Sequence, residues 1–216
     1  MSGELLVLYV EASWSSPWVC AAHVVLREKQ VPFTTALAMM RPGVGMVDVM
    51  LHHTLTGTAP VLEHGTLWLA ESLAIVEYLE EIVPEPAMLP VDVRDRARAR
   101  QLMTWMRTDH DALRTERPTE LIMYPRPDPL PPLSPAARKQ AGDLIRIAER
   151  LGADARGAVF GGRFGVIDVE LAFALMRLVA TGEPVPEPVR AYVAAVWARP
   201  SVREFVEHRR PPNPLR

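Results

Sequence analysis

The stretch from Gly57 to Ile75 constrains this chain more than any other. Gly57-Thr58-Ala59-Pro60-Val61-Leu62 reads as a loop, a proline and a short strand. Glu63-His64-Gly65 is a turn, Leu67-Trp68-Leu69 a second short strand, and Glu71-Ser72-Leu73-Ala74-Ile75 the start of a helix. Two short apolar runs split by a glycine turn predict a β-hairpin. A proline fits only at the entrance of such a strand, because it has no N–H to give the ladder. The order brings a restricted backbone edge at Ala59-Pro60 close to a carboxylate, a hydroxyl and the N–H groups of a helix start at Glu71-Ser72. That arrangement suits a small zwitterionic peptide, whose carboxylate is favoured at a helix N-terminus.

The segments before this stretch complete a small α/β unit. Leu5 to Val10 is a continuous apolar run, as expected of a strand buried on both faces. In Ser13-Trp14-Ser15-Ser16-Pro17, Ser16 fits an N-cap and Pro17 the first helical position. Trp18 to Lys29 continues as a helix with an apolar stripe at Val19, Ala22, Val25 and Leu26. Phe33 to Met40 is a second strand, and Val44, Val47 and Leu51 hint at a short helix. Ser72 to Ile82 is amphipathic, giving the order β-α-β-α-β-β-α over residues 1–83.

Pro84-Glu85-Pro86 and Pro90 mark a linker. From 91 to 216 the pattern is helical throughout. A long helix runs from Asp92 to Glu120, followed by a proline-rich loop over 125–132 and a helix capped by Ser134 with Pro135 at its first position. A buried helix spans Ile167 to Ala180, and two more cover 187–198 and 201–208. The expected architecture is an α/β domain over 1–83 and an all-α domain over 91–216.

Composition excludes several classes. A net charge of −2 gives no electrostatic reason to expect nucleic acid or an anionic membrane surface as partner. There is one cysteine, Cys20, so no internal disulfide forms, which fits a reducing cytoplasm. No apolar run is long enough for a transmembrane span, and the first residues lack the pattern of a signal peptide. His52-His53 and His64 raise the question of metal, but adjacent helical histidines point about 100° apart and make poor joint ligands. No metal is expected.

These residues together resemble the glutathione S-transferase family. An Xaa-Pro before the third strand, Glu-Ser opening the helix after the hairpin, Ser16-Pro17 after the first strand and an all-helical second half are similar to it over nearly the whole chain. The resemblance implies a thioredoxin-like N-terminal domain plus an all-α C-terminal domain. The Ser-Pro dipeptide resembles the serine-type members of bacteria and plants rather than the tyrosine type. The resemblance implies a cytoplasmic detoxifying transferase that forms a homodimer, with glutathione as co-substrate. Ala59-Pro60 would be cis and face the cysteinyl backbone of glutathione. Glu71 would pair with the γ-glutamyl ammonium, and Ser72 with the helix N–H groups would take its carboxylate. His53 is the candidate for the glycine carboxylate. Trp14, Trp18, Met106 and His110 are candidates for the second-substrate pocket. The second substrate would be a small hydrophobic electrophile, a peroxide or a disulfide.

The chemistry such a site requires is thiol ionisation. A free thiol titrates at about 8.5, and lowering that by roughly two units takes about 2.7 kcal/mol of preferential thiolate stabilisation. A serine hydroxyl is too weak a base, but it can donate a charge-assisted hydrogen bond worth about 1.5–3 kcal/mol. A helix N-terminus adds a favourable field. Both Ser16 and Ser15 fit this role by position. Two other functions stay open: glutathione-dependent reduction of disulfides or peroxides, and a non-catalytic binding module on the same fold. Gly165, three residues before Asp168, offers no side chain for a reciprocal capping box.

Overall fold

The computed structural model describes residues 5–38, 40–41, 45–46, 52–125 and 129–212. Val44, Val47 and Leu51, where a short helix is expected, lie outside them. The chain divides into two compact units, one of residues 1–88 and 204–211, the other of residues 89–203 and 212–216. The segment Glu204–Pro211 groups with the α/β unit.

In the first unit, β1 (Leu6–Glu11), β2 (Phe33–Ala38), β5 (Val61–His64) and β6 (Leu67–Ala70) form a four-stranded sheet in the order β2-β1-β5-β6. β1 runs parallel to β2 and antiparallel to β5. Two short strands, β3 (Met40–Arg41) and β4 (Gly45–Met46), pair separately. α1 (Pro17–Glu28) connects β1 to β2, and α2 (Ser72–Ile82) follows the hairpin and packs on α1.

One face of β1 buries Leu6, Leu8 and Val10 completely or nearly so. The other face is only half-buried, contrary to a strand enclosed on both sides. Its cover is aromatic: Trp68 stacks on Tyr9 at 5.2 Å. α1 buries every residue from Val19 to Leu26, including Cys20. Apolar burial of this kind contributes about 1.5–3 kcal/mol for each large side chain.

Lys29, at the C-terminal cap of α1, ties this unit together. Its side chain is 0% exposed and contacts Glu80 Oε1 at 2.6 Å. Its ammonium also donates to the carbonyls of Val83, at 2.6 Å, and Pro86, at 2.9 Å. All three of its donors are used. Lys29→Met keeps the buried stem but strips Glu80 of its cation and two carbonyls of their donor. Breaking a buried pair from one side costs about 3–5 kcal/mol. Chemical denaturation should show a loss of that size, and a loss below about 1 kcal/mol would contradict the assignment.

Every regular element among the second unit's described residues is a helix: α3 (Val93–Thr108), α4 (Asp111–Glu116), α5 (Glu120–Met123), α6 (Pro135–Arg150), α7 (Val166–Thr181), α8 (Glu187–Trp197) and most of α9 (Pro200–Val206). The expected continuous helix from 92 to 120 is broken at Asp109-His110 and again after Glu116. Arg114 fills the first break, donating to the carbonyls of Met106 at 3.0 Å and Arg107 at 2.6 Å. Ser134 caps α6 by accepting the Ala137 N–H at 3.2 Å, and Pro135 is its first residue.

α7 is the core of this unit and carries buried charge. Glu170 is paired in a two-pronged contact with Arg107, at 2.6 and 2.7 Å. Asp168 is completely buried. Its carboxylate accepts the N–H of Gly165 at 2.9 Å, the N–H of Val159 at 2.9 Å and the Tyr192 hydroxyl at 2.9 Å. Gly165 has no side chain to return a bond, and its carbonyl instead accepts the Asp168 N–H at 3.0 Å. One half of the side-chain capping box is therefore absent, and the other half does more than cap.

Candidate active site

β1 delivers the chain into a tight loop before α1. The Trp14 N–H donates to the Glu11 carbonyl at 3.1 Å, and Trp14 adopts φ 47°. A non-glycine residue in the left-handed region costs about 1–3 kcal/mol, and such strain persists only where the surroundings over-determine it. Here they do. Oε1 of Glu11 accepts the N–H groups of both Ser15 and Ser16 at 2.6 Å. The Trp14 indole is buried, stacked on His208 at 3.7 Å and packed against Phe205 at 5.5 Å. Burial pushes the Glu11 carboxyl above the usual range, with the two serine N–H groups and Arg210 pulling it back. Its other oxygen, Oε2, is buried without a hydrogen-bond partner among the described residues.

The two serines differ sharply in what their hydroxyls do. Ser15 is 5% exposed, and its Oγ lies 2.8 Å from Ser13 Oγ. Ser16 is half-buried and is the N-cap of α1, its Oγ accepting the Val19 N–H at 3.4 Å. That bond uses an oxygen lone pair and leaves the hydroxyl hydrogen available to donate. Trp18, next on α1, is half-buried.

The other half of the expected site lies in the same unit. The Ala59-Pro60 peptide is cis, with Pro60 buried beside the start of β5. Glu71 precedes α2 at φ 71° and makes no side-chain cap bond. Its exposed carboxylate instead accepts the Thr58 hydroxyl at 2.8 Å. Ser72, the first residue of α2, is 5% exposed. Thr58 thus links the loop before Pro60 to the start of α2. His53 is exposed and stacks on Trp68 at 4.6 Å.

Met106 and His110 belong to the helical unit, and both are buried. His110 sits at the break between α3 and α4, edge-on to Trp105 at 4.2 Å. Neither of its ring nitrogens is in hydrogen-bonding geometry with a partner among the described residues. Burial pushes its pKa down, with the nearby Trp105 backbone opposing, so the ring is neutral at pH 7. It borders a cavity of about 200 Å³ with Trp105, Asp109, Lys139 and Asp143. Glu11 and Arg210 are the residues of the serine loop that sequence reasoning misses. An acid closing an otherwise apolar strand, shortly before two serines, is the one signal the sequence carries for Glu11. Arg210 is invisible locally because it lies 196 positions from Trp14, whose carbonyl it contacts.

Residues 15–82 match the glutathione S-transferase N-terminal domain and residues 92–209 match the glutathione S-transferase C-terminal domain. The chain belongs to the glutathione S-transferase family. It is 37% identical to a solved glutathione transferase homolog from Burkholderia with bound glutathione, covering 94% of this chain and 96% of that one with a TM-score of 0.76. Glutathione S-transferase U13 of Arabidopsis thaliana is 38% identical over 92 residues, 41% of this chain and 39% of that protein. Maleylpyruvate isomerase of Ralstonia sp is 28% identical over 109 residues, 50% of this chain and 51% of that protein. These matches span between about two fifths and half the length of the curated relatives. Among the described residues, no helix is long and apolar enough to cross a membrane.

Proposed function

We propose that the chain is a glutathione transferase in which the Ser16 hydroxyl activates the glutathione thiol for attack on an electrophilic small molecule. The observation that carries this reading is the state of Ser16: half-buried, at the N-terminus of α1, with its hydroxyl hydrogen unused in the bonds it makes. Ser15 is the weaker choice because its hydroxyl is buried against Ser13. The thiol proton leaves to solvent. The thiolate accepts the Ser16 O–H, then forms the carbon–sulfur bond as the electrophile's leaving group departs with its electron pair. The helix field of α1 favours the same anion.

Glutathione itself is placed by Ala59, Pro60, Glu71 and Ser72 in this reading, with His53 near its glycine end. The glutathione-bound homolog supports the choice of ligand. A homodimer in the cytoplasm completes the proposal. The Glu71 carboxylate, steadied by Thr58, is the counter-charge for the γ-glutamyl ammonium. Losing a charge-assisted contact of about 1.5–3 kcal/mol lowers affinity about ten- to a hundredfold. Titration calorimetry of Glu71→Gln with glutathione should show that loss. An unchanged Kd would remove Glu71 from the site.

A further inference from the structure

The last residues of the described chain return to the serine loop. Arg210 donates to the Trp14 carbonyl through Nε at 3.1 Å and Nη2 at 2.9 Å. The same guanidinium holds its own segment, donating to the carbonyls of Val206 at 2.7 Å, His208 at 2.9 Å and Phe205 at 3.0 Å. His208 and Phe205 in turn cover the Trp14 indole. Trp14 is therefore held by its carbonyl and its ring from one segment. Glu11 holds the next two residues by their N–H groups. The strained residue and the serine hydroxyl are two positions apart in one fixed loop.

We propose that Phe205–Arg210 is a strap that fixes the serine loop, and that Arg210 is a positioning residue for thiol activation. The rigid, planar fork of arginine suits the task, since it grips one carbonyl with two N–H groups while binding three others. A small displacement of a catalytic group can cost about a hundredfold in rate, so a distant clamp on Trp14 reaches the chemistry without touching glutathione. This inference rests on the Ser16 reading for its catalytic part and on the loop geometry alone for its structural part.

The two parts separate in one experiment on the full chain. In Arg210→Ala, amide hydrogen exchange at Ser15 and Ser16 should accelerate at least about tenfold, because their protection depends on local opening. The thiol pKa of bound glutathione should rise about one unit, which lowers the thiolate fraction at pH 7 about threefold from the value set by a wild-type pKa roughly two units below 8.5. The Kd for glutathione at pH 7 should rise no more than about threefold, the linked effect of that one-unit pKa change, since the groups around Pro60 and Glu71 are untouched. Arg210→Lys, which keeps one donor for the Trp14 carbonyl, should recover part of both losses. His208→Ala keeps every Arg210 bond and should show a smaller effect. Unchanged exchange at Ser15 and Ser16 would overturn the strap. Faster exchange with wild-type thiolate and turnover would overturn the positioning role. Faster exchange in the variant, with no thiolate even in the wild type, would uphold the strap and remove the Ser16 reading instead.

Discussion

Ser16→Ala should lower kcat/KM for conjugation of glutathione to an aromatic halide by about 10²–10³-fold, the usual cost of removing one donor from a developing anion. The Kd for glutathione should change little, because the peptide is held elsewhere. Ser15→Ala breaks only the hydroxyl pair with Ser13, a neutral bond worth about 1 kcal/mol. Its effect on rate should be several-fold at most. Ser16→Ala also removes the N-cap of α1, which costs about 1 kcal/mol of stability. Ser16→Gly separates the two effects, since glycine caps nearly as well as serine but has no hydroxyl. It should match Ser16→Ala in rate and exceed it in stability. If Ser15→Ala carries the large loss, the roles of the two serines are exchanged. If both keep full activity, the serine mechanism is gone, and comparing turnover on a hydroperoxide and a small disulfide then becomes the next discriminating assay.

Asp168→Ala should be among the most destabilising single changes in the chain. The carboxylate serves three donors: Gly165 N–H, Val159 N–H and Tyr192 O–H. Each buried donor left without a partner costs about 1–3 kcal/mol, so a loss of about 3 kcal/mol or more is expected by denaturant titration. Asp168→Asn keeps part of this acceptor capacity and should cost less. It also exposes a pH effect. Burial pushes the Asp168 carboxyl up to about 6, against the pull of its three donors and Arg199. The folded state thus holds a proton that the unfolded chain, titrating near 3.8, has released. Stability falls as pH rises through the interval between these values and levels off above it. The Asn variant lacks this slope, so the wild-type advantage over it should shrink between about pH 4 and pH 6. Taking the difference cancels other groups such as His23, which burial pushes down to about 4 and which slopes the opposite way. A difference constant across that range would contradict the assigned titration.

Much of the α/β unit is legible in the sequence because its signals are local. Ser16-Pro17 specifies a helix start by a cap and a fixed φ. Val61-Leu62 and Leu67-Trp68-Leu69 are two apolar runs around a glycine turn, and both lie in strands, Val61–His64 and Leu67–Ala70. The failures are of another kind. A pattern of apolar spacing over 92–120 cannot show that Arg114 stabilises a break by bonding two carbonyls of α3. Val7 and Tyr9 read as core because they are apolar, yet half-burial on that face depends on where Trp68 lands from another strand. The partners of the serine loop were the least legible. Glu11 acts through a carboxylate turned back on its own loop, and Arg210 acts from the far end of the chain. Neither relation has a sequence spacing. Asp168 shows the middle case: its place at the start of α7 is visible, but its bonds to Val159 and Tyr192 are tertiary.

The central claim is that this chain ionises bound glutathione with a serine at the head of α1. The most direct test is the ultraviolet titration of thiolate in the glutathione complex, wild type against Ser16→Ala. The wild-type complex should titrate roughly two units below the free thiol value of about 8.5, and the variant should return most of that shift. A wild-type complex that titrates like free glutathione, or a variant that keeps the full shift, would contradict it.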